Sequence, residues 1–291
     1  MLSPRIRMVF HHHILRSIPH AFPRIRRQLS IITFSGPFHM LSQGSADLFH
    51  AAAALSGSDA SYESVISSPE LAFNNTVRLG RQVGCAQNSP QAVWDCILTR
   101  SHDDIVKSTA SMRVEYNRYA FVPTVDGHFL RDNPVSLLQR KDVLTPVPYM
   151  TGVNQNDGSE TLLSNRPLEI LEYEVTESQL FEEILRYTLH HNYTTNREAV
   201  IQAISYQYTY WPDAMDDQRM RQQFMHMCSD AYYVAPVVAS ARLHADAGSM
   251  VFLYVNNYHI GTMSREDAVT PHSQIPKWLG ERAQHCFRLA C

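Results

Sequence analysis

The chain contains 291 residues, of which 44% are hydrophobic, so it can bury the core of one large domain or of two small ones. Its formal net charge of -3 gives no electrostatic reason to expect nucleic acid or an anionic membrane as a partner. No apolar run reaches the roughly 18 residues that a membrane-spanning helix needs, so the sequence predicts no transmembrane segment.

The first 37 residues differ from the rest because they carry six arginines and no acidic residue. An Arg-rich, acid-poor stretch is typical of a transit peptide, and the run His11–His13 is typical of a metal-binding tract. The interpretation we favour is a disordered or non-native segment over residues 1–37. Residues 281–291 are predicted to form an irregular tail, and both ends are expected to replace sequence of a longer domain.

Two helices are predicted from Ser-Pro starts, one at Pro69 and one at Pro90. Cys85 and Cys96 flank the second start. A disulfide between them would stabilise a short helical segment. The alternative is two buried free thiols, which would suit a cytosolic protein. The cysteine count of five is odd and shows no Cys-x-x-Cys spacing, so no metal site is predicted.

Two sequons begin at Asn74 and Asn192, and they suit a secreted or surface protein. Further on, the apolar runs VPYMTGVN and MVFLYVNNY predict two buried parallel strands. Between them the sequence predicts a helix with a capping box at Thr176, a helix that ends before Pro212, and a long helix that Pro236 breaks or kinks. Helices that separate buried strands indicate an α/β fold.

Several stretches of the chain resemble one known family, and they come in the family's order. They are HMLSQGSADLFHAAAALSGS, QVGC followed by VWDCILTR, FVPTVDGHFLRDNP, VPYMTGVNQNDGS, CSDAYYVAPVVASARLHADAGSMVFLYVNNY and IPKWLG. Together they resemble the type-B carboxylesterase and cholinesterase family of the α/β-hydrolase fold, including its neuroligin-like adhesion members. The resemblance implies a partial family domain over residues 38–280, corresponding to the C-terminal half, with an incomplete parallel or mixed sheet and many helices. It also implies that Cys85 and Cys96 form a family disulfide.

The esterases of this family need a serine on a Gly-x-Ser-x-Gly turn, a histidine base and an acid. No Gly-x-Ser-x-Gly occurs in this sequence. The resemblance puts Ser30 at the nucleophile position without a neighbouring glycine, and Ser35 is followed by a Gly-Pro pair that makes a poor turn for a nucleophile. The histidine is expected near His285, but its surroundings depart from the family pattern. Only the acid position, Asp157, matches well.

Asp157 has two interpretations, as a triad acid that orients a histidine or as a turn residue that bonds nearby backbone N–H groups. With no partner visible in the sequence, we favour the turn. Where Ala235 stands, cholinesterases carry a disulfide cysteine, so this region resembles the neuroligin-like and gliotactin-like members. Cys228 is then expected to be buried and free, and His244 and His259 are expected to be solvated or satisfied locally.

These observations predict a catalytically inactive, cell-surface adhesion module that binds a protein partner. The alternative is a hydrolase of small carboxylic esters whose serine turn and histidine are missing from this chain. Both predict an extracellular or cell-surface location, whereas a third option takes the basic N-terminus as the targeting segment of a cytosolic or organellar protein. No cofactor, metal ion or nucleic acid is predicted.

Overall fold

The structure is a computed structural model that describes residues 6–10, 30–31, 35–86, 89–112, 120–142, 146–163, 174–191, 193–214 and 216–257. In this part of the chain the α-helices are α1 (Ser35–Leu41), α2 (Pro69–Gln82), α3 (Pro90–Ile97), α4 (His102–Ser111), α5 (Pro134–Gln139), α6 (Ser159–Leu163), α7 (Glu177–His190), α8 (Arg197–Gln207), α9 (Asp217–Ser229) and α10 (Ala235–Asp246). Short 3-10 turns lie at Gln43–Ser45 and Tyr62–Ser64, and a π-helical turn over Asp230–Val234 joins α9 to α10.

Five strands form one sheet: β1 (Ile6–Phe10), β2 (Ser30–Ile31), β3 (Ala52–Leu55), β4 (Tyr149–Asn154) and β5 (Val251–Asn256). Their order is β1-β5-β4-β3-β2, and every neighbouring pair is parallel. Tyr149 lies opposite both Ala52 and Val251, which sets the register of the three central strands. Consecutive residues of β4 and β5 are buried, so both faces of the sheet are covered there, as the continuous apolar runs predict.

The chain divides into two compact units. The first contains the sheet and lies within residues 1–61 and 134–291, and the second covers residues 62–133. Fully buried side chains of the first unit come from β4, β5 and the helices that pack on them: Tyr149, Leu162, Ile184, Phe224, Met227, Val237 and Val251. Each large apolar side chain buried in this way stabilises the fold by about 1.5–3 kcal/mol.

The second unit is a small helical assembly of α2, α3 and α4. A disulfide joins Cys85 to Cys96, with their Cα atoms 5.6 Å apart, so the structure pairs these thiols rather than leaving them free. Asn75 is buried and donates from Nδ2 to the carbonyl of Ala120 at 2.8 Å. The turn predicted at Val-Asp-Gly-His is closed by Asp126, whose Oδ1 accepts three successive backbone N–H groups.

Helix starts follow the local cues in the sequence. Hydroxyl groups of Ser68, Ser89 and Ser101 accept backbone N–H groups at the starts of α2, α3 and α4. The capping box predicted at Thr176 is confirmed, because the Thr176 hydroxyl and the Gln179 side chain satisfy each other's backbone donors. Pro236 is the second residue of α10, which begins directly after the π-helical turn. The break predicted at Pro236 is therefore a change from α-helix to a π-helical turn and back to α-helix.

Strands β1 and β2 lie inside the segment 1–37 that the sequence predicts to be disordered or non-native. β1 pairs with β5 along its whole length, and β2 pairs with β3 over two residues. An open sheet edge presents unpaired backbone N–H and C=O groups, so an extended segment from elsewhere in the chain can add to it. The residues of β1 and β2 therefore belong to the sheet in this structure.

Candidate functional site

Polar side chains meet at the carboxyl ends of the three central strands. Ser56 directly follows β3, Asn154 ends β4 and Asn256 ends β5. Asn154 donates from Nδ2 to the Ser56 hydroxyl at 3.2 Å and accepts on Oδ1 from Nδ2 of Asn256 at 2.8 Å. Ligands of open parallel α/β sheets bind at this edge, so it is the candidate site of this chain.

Asp157 lies next to this row, three residues beyond the end of β4, and only 6% of its surface is exposed. Its Oδ2 accepts the backbone N–H of Asn154 at 2.8 Å, and its Oδ1 accepts the Asn154 side-chain amide at 2.9 Å. Both carboxylate oxygens are thus bonded to one residue of the same turn. The carboxylate closes the turn and also orients the amide that links the strand ends.

The next residue, Gly158, holds the same turn against the end of α9. Its N–H donates to the Ser229 hydroxyl at 2.9 Å, and that hydroxyl donates to the carbonyl of Met225 at 2.7 Å. A Cβ atom on Gly158 would lie 2.3 Å from the backbone nitrogen of Ser229 and 2.5 Å from the carbonyl oxygen of Met225. Only glycine fits here without a shift of backbone, which explains the Asp-Gly-Ser sequence in structural terms.

The π-helical turn orients two consecutive tyrosines toward one half-buried and one buried acid. Tyr233 donates its hydroxyl to Glu160, the second residue of α6, and Tyr232 donates to Oε1 of Glu183 at 2.6 Å. Arg186 pairs with the same Glu183 carboxylate. Burial, and then the charge of Glu183, raise the pKa of Tyr232 above its ordinary value. These contacts attach the helices on either side of the turn to α6 and α7.

A second polar cluster lies inside the first unit, and sequence reasoning missed it. His244 on α10 contacts Asp59 through Nε2 and Oδ2 at 2.8 Å, and Ser240 donates to the other Asp59 oxygen at 2.6 Å. The ring of Tyr149 lies 4.8 Å from the ring of His244, and its hydroxyl is 3.3 Å from that of Ser240. His244 is completely buried and its partner is distant in sequence, so the expectation of a solvated or locally satisfied histidine is wrong.

Electrostatics of this cluster follow from its burial. Burial raises the pKa of the Asp59 carboxyl, but His244 and the hydrogen bond from Ser240 outweigh burial and hold that pKa below its usual 3.8. Burial, reinforced by the charge of Asp59, raises the pKa of Tyr149 well above 10. Asp59 is therefore a carboxylate in the folded protein, whereas Tyr149 keeps its proton.

The remaining candidates are placed as follows. Ser30 is the first residue of β2, and Ser35 is the first residue of α1. His259 and His285, like the sequon residue Asn192, lie outside the described residues. Asn74 is an exposed residue of α2. Cys228 is buried, as the sequence predicts, and it is not one of the two cysteines of the disulfide.

Neither a metal site nor a membrane span is found in the part of the chain that the structure describes. No group of three or more His, Cys, Asp or Glu side chains there could hold a metal ion. The helices among these residues are too short or too polar to cross a bilayer.

Comparison with known proteins places the chain in a family. A model of the carboxylesterase family matches residues 34–286. The neuroligin-like protein glit-1 of Caenorhabditis elegans is 44% identical over 250 residues, which cover 84% of this chain and 34% of that protein. Neuroligin-2 of Rattus norvegicus is 28% identical, over 78% of this chain and 26% of that protein.

Acetylcholinesterase of Myxine glutinosa is 27% identical over 83% of this chain and 68% of that protein. The chain thus spans about a third of glit-1 and about a quarter of neuroligin-2. The predicted α/β fold agrees with the parallel sheet and its covering helices. The chain therefore belongs to the carboxylesterase family, which has the α/β-hydrolase fold.

Proposed function

We propose that this chain is a carboxylesterase-family domain, over residues 38–280, that takes part in cell-surface adhesion and does not hydrolyse esters. The observation that carries the proposal is the bonding of Asp157. Both of its carboxylate oxygens accept hydrogen bonds from Asn154, which in turn links the ends of β3 and β5. At the family's acid position this chain has a carboxylate that holds a turn together.

The sequence supports the same proposal at the nucleophile position. The chain has no Gly-x-Ser-x-Gly, and Ser30, which the resemblance aligns with the nucleophile, lies within a strand and not on a turn. A nucleophilic serine of this fold needs the strand-to-helix turn because that turn exposes its hydroxyl group. The identity of 44% to a neuroligin-like protein also favours adhesion over hydrolysis.

An adhesion role fits an extracellular or cell-surface location and a protein partner. Asn74 is exposed, so a glycan attached to this sequon would extend into solvent, and Asn192 is the second proposed acceptor. Hydrogen bonds link the ends of the central strands, and residues held by a rigid scaffold are common sites of protein recognition.

The experiment uses the full chain, tetramerised through a fused tag, as a probe of intact animal cells. We expect saturable binding that disappears when surface proteins are shaved with trypsin, while the tag alone does not bind. We also expect no hydrolysis of p-nitrophenyl acetate above the rate with bovine serum albumin. Hydrolysis that a serine-directed organophosphate abolishes, without cell binding, would overturn the proposal.

The alternative function is a carboxylic-ester hydrolase acting on a small ester. Its specific support is that Ser35 begins α1 after β2, while Asp157 follows the parallel strand β4. A discriminating test compares Ser35→Ala with Ser30→Ala in hydrolysis of p-nitrophenyl butyrate. Activity lost in Ser35→Ala alone, with an organophosphate adduct mapped to Ser35, would support the hydrolase.

A further inference from the structure

An arginine lies directly on the disulfide of the second unit. Arg100 donates from Nε to Sγ of Cys85 at 3.2 Å and from Nη2 to Sγ of Cys96 at 3.5 Å. The same Nη2 also donates to the carbonyl of Gly84 at 3.2 Å, which holds the guanidinium over the sulfur pair. The shorter of the two sulfur contacts is the one to Cys85.

The two sulfur-bearing residues differ in exposure. Cys85 has no exposed surface and belongs to a small apolar cluster with Val93 and Ile97. Cys96 lies on α3 and keeps part of its surface exposed. A small thiol arriving from solvent therefore reaches Cys96 and not Cys85.

Arg100 changes the chemistry of this bond because its guanidinium is always charged. A disulfide sulfur is a weak acceptor, whereas a thiolate is a full anion that forms a stronger, charge-assisted bond with the same donor. Thiol–disulfide exchange is faster when the leaving thiol has a lower pKa, and a neighbouring arginine lowers the pKa of a thiol. The arginine is thus positioned to stabilise the sulfur that leaves.

We propose that the Cys85–Cys96 disulfide is a site of thiol–disulfide exchange with small thiols, with Cys96 as the attacked sulfur and Cys85 as the leaving group. The thiolate of the small thiol bonds to Sγ of Cys96, the bond between the two protein sulfurs breaks, and its electron pair stays on Cys85 beside Arg100. A second small thiol then attacks the mixed disulfide, releasing the oxidised small-thiol dimer and leaving Cys96 reduced. The protein disulfide gains two electrons, and the two small thiols lose them.

Exchange would remove the covalent link between the end of α2 and α3. The contacts that remain there include the apolar cluster around Val93 and Ile97 and the helix caps at Ser68 and Ser89. The reduced second unit is then expected to be more sensitive to proteases, because closing this short loop stabilises it by about 2–3 kcal/mol in the chain-entropy model.

The test measures how fast reduced glutathione opens the disulfide in the full chain, with N-ethylmaleimide quenching and mass mapping of the Cys85 and Cys96 peptides. We expect glutathione first on Cys96, and we expect Arg100→Gln to slow opening about fivefold, since the leaving thiolate loses a charge-assisted donor. Arg100→Lys should recover part of the rate, and raised salt should slow the wild type more than Arg100→Gln.

The matched control is Arg81→Gln, because Arg81 is an exposed arginine of α2 with no hydrogen bond to either sulfur. This variant should open at the wild-type rate. Equal rates in Arg100→Gln and Arg81→Gln, or glutathione first found on Cys85, would overturn the proposal. The readout is a rate of disulfide opening, so it does not depend on whether the chain mediates adhesion or hydrolyses esters.

Discussion

Two aspartates of the first unit are both bonded on each carboxylate oxygen, but they differ in where their donors come from. Asp157 accepts one hydrogen bond on each oxygen from Asn154, three positions earlier in the chain. Asp59 receives its bonds from Ser240 and His244, which are 181 and 185 positions later. The first carboxylate shapes a turn at the sheet edge, whereas the second connects the loop after β3 to α10 through the core.

Residue types alone therefore do not locate a working site in this chain. Asp59, His244 and Ser240 are the residue types of a serine-hydrolase triad, yet at most 1% of each is exposed, and Asp59 lies between the other two. A substrate cannot reach them, and the serine does not contact the histidine in the way a nucleophile must. At the sheet edge the acid position is present, and each of its carboxylate oxygens accepts a hydrogen bond from Asn154 of the same turn.

The largest effect should come from removing the contacts of Asp59 with Ser240 and His244. Asp59→Ala leaves His244 and Ser240 buried without their acceptor, and each buried polar group left without its hydrogen-bond partner costs about 1–3 kcal/mol. We expect a large drop in the urea midpoint of the first unit. Tryptophan fluorescence and circular dichroism measure this midpoint. The control is Glu182→Ala, an exposed acid of α7, which should stay near the wild-type midpoint. A small effect in both variants would mean that the buried pair adds little.

The next effect concerns the contact of the sheet-edge turn with α9. Gly158→Ala places a methyl group against the backbone of Ser229 and Met225, and overpacking of this kind costs about 1–3 kcal/mol. The matched control is Gly44→Ala, where the nearest atom would be the Ser42 hydroxyl at 3.9 Å. Urea midpoints of the two variants decide the point. If both midpoints equal the wild-type value, α9 shifts without loss of stability, and its contact does not hold the turn rigidly.

A third effect concerns the hydrogen bonds between Asn154 and Asp157. In a double-mutant cycle of Asn154→Ala and Asp157→Ala, we expect a coupling free energy of about 1 kcal/mol or more, because each residue supplies the other's hydrogen-bond partner. Each single variant should lower the urea midpoint, and the double variant should cost less than the sum. Strictly additive losses would contradict the structural role of Asp157 and favour a separate role for its carboxylate.

Local and distant contacts also differ in how well the sequence predicts them. The helix starts at Pro69, Pro90 and Glu177 have capping residues within three positions, so their signals lie in one short window. The position of Asp157 at the end of a buried strand was predictable for the same reason. The link between Asp59 and His244 was not, because no spacing rule connects residues 185 positions apart.

The tyrosines of the π-helical turn show the same limit. The sequence does not predict where the side chains of the two consecutive tyrosines before Pro236 point, since in an α-helix they would lie about 100° apart. The π-helical turn instead lets Tyr232 and Tyr233 both reach buried or half-buried acids on other helices. Which acids they reach depends on how α6 and α7 pack, and this packing is decided by the whole core and not by the local sequence.

The smallest effect is expected from Asp59→Asn, which removes the charge of Asp59 and keeps the shape of its side chain. In Asp59→Asn one of the two carboxylate oxygens becomes an NH2 donor, so a single oxygen remains to accept a hydrogen bond from Ser240 or His244. The folded-state pKa of Asp59 lies below 3.8, so its charge stabilises the fold fully above that pH, and this contribution is lost as pH falls through the lower folded value. The difference in urea midpoint between wild type and Asp59→Asn should therefore shrink as the pH falls from about 5 toward 3. Titrating groups that do not contact residue 59 cancel because both proteins contain them. A difference that grows on acidification would contradict the lowered pKa and with it the contrast between the two aspartates.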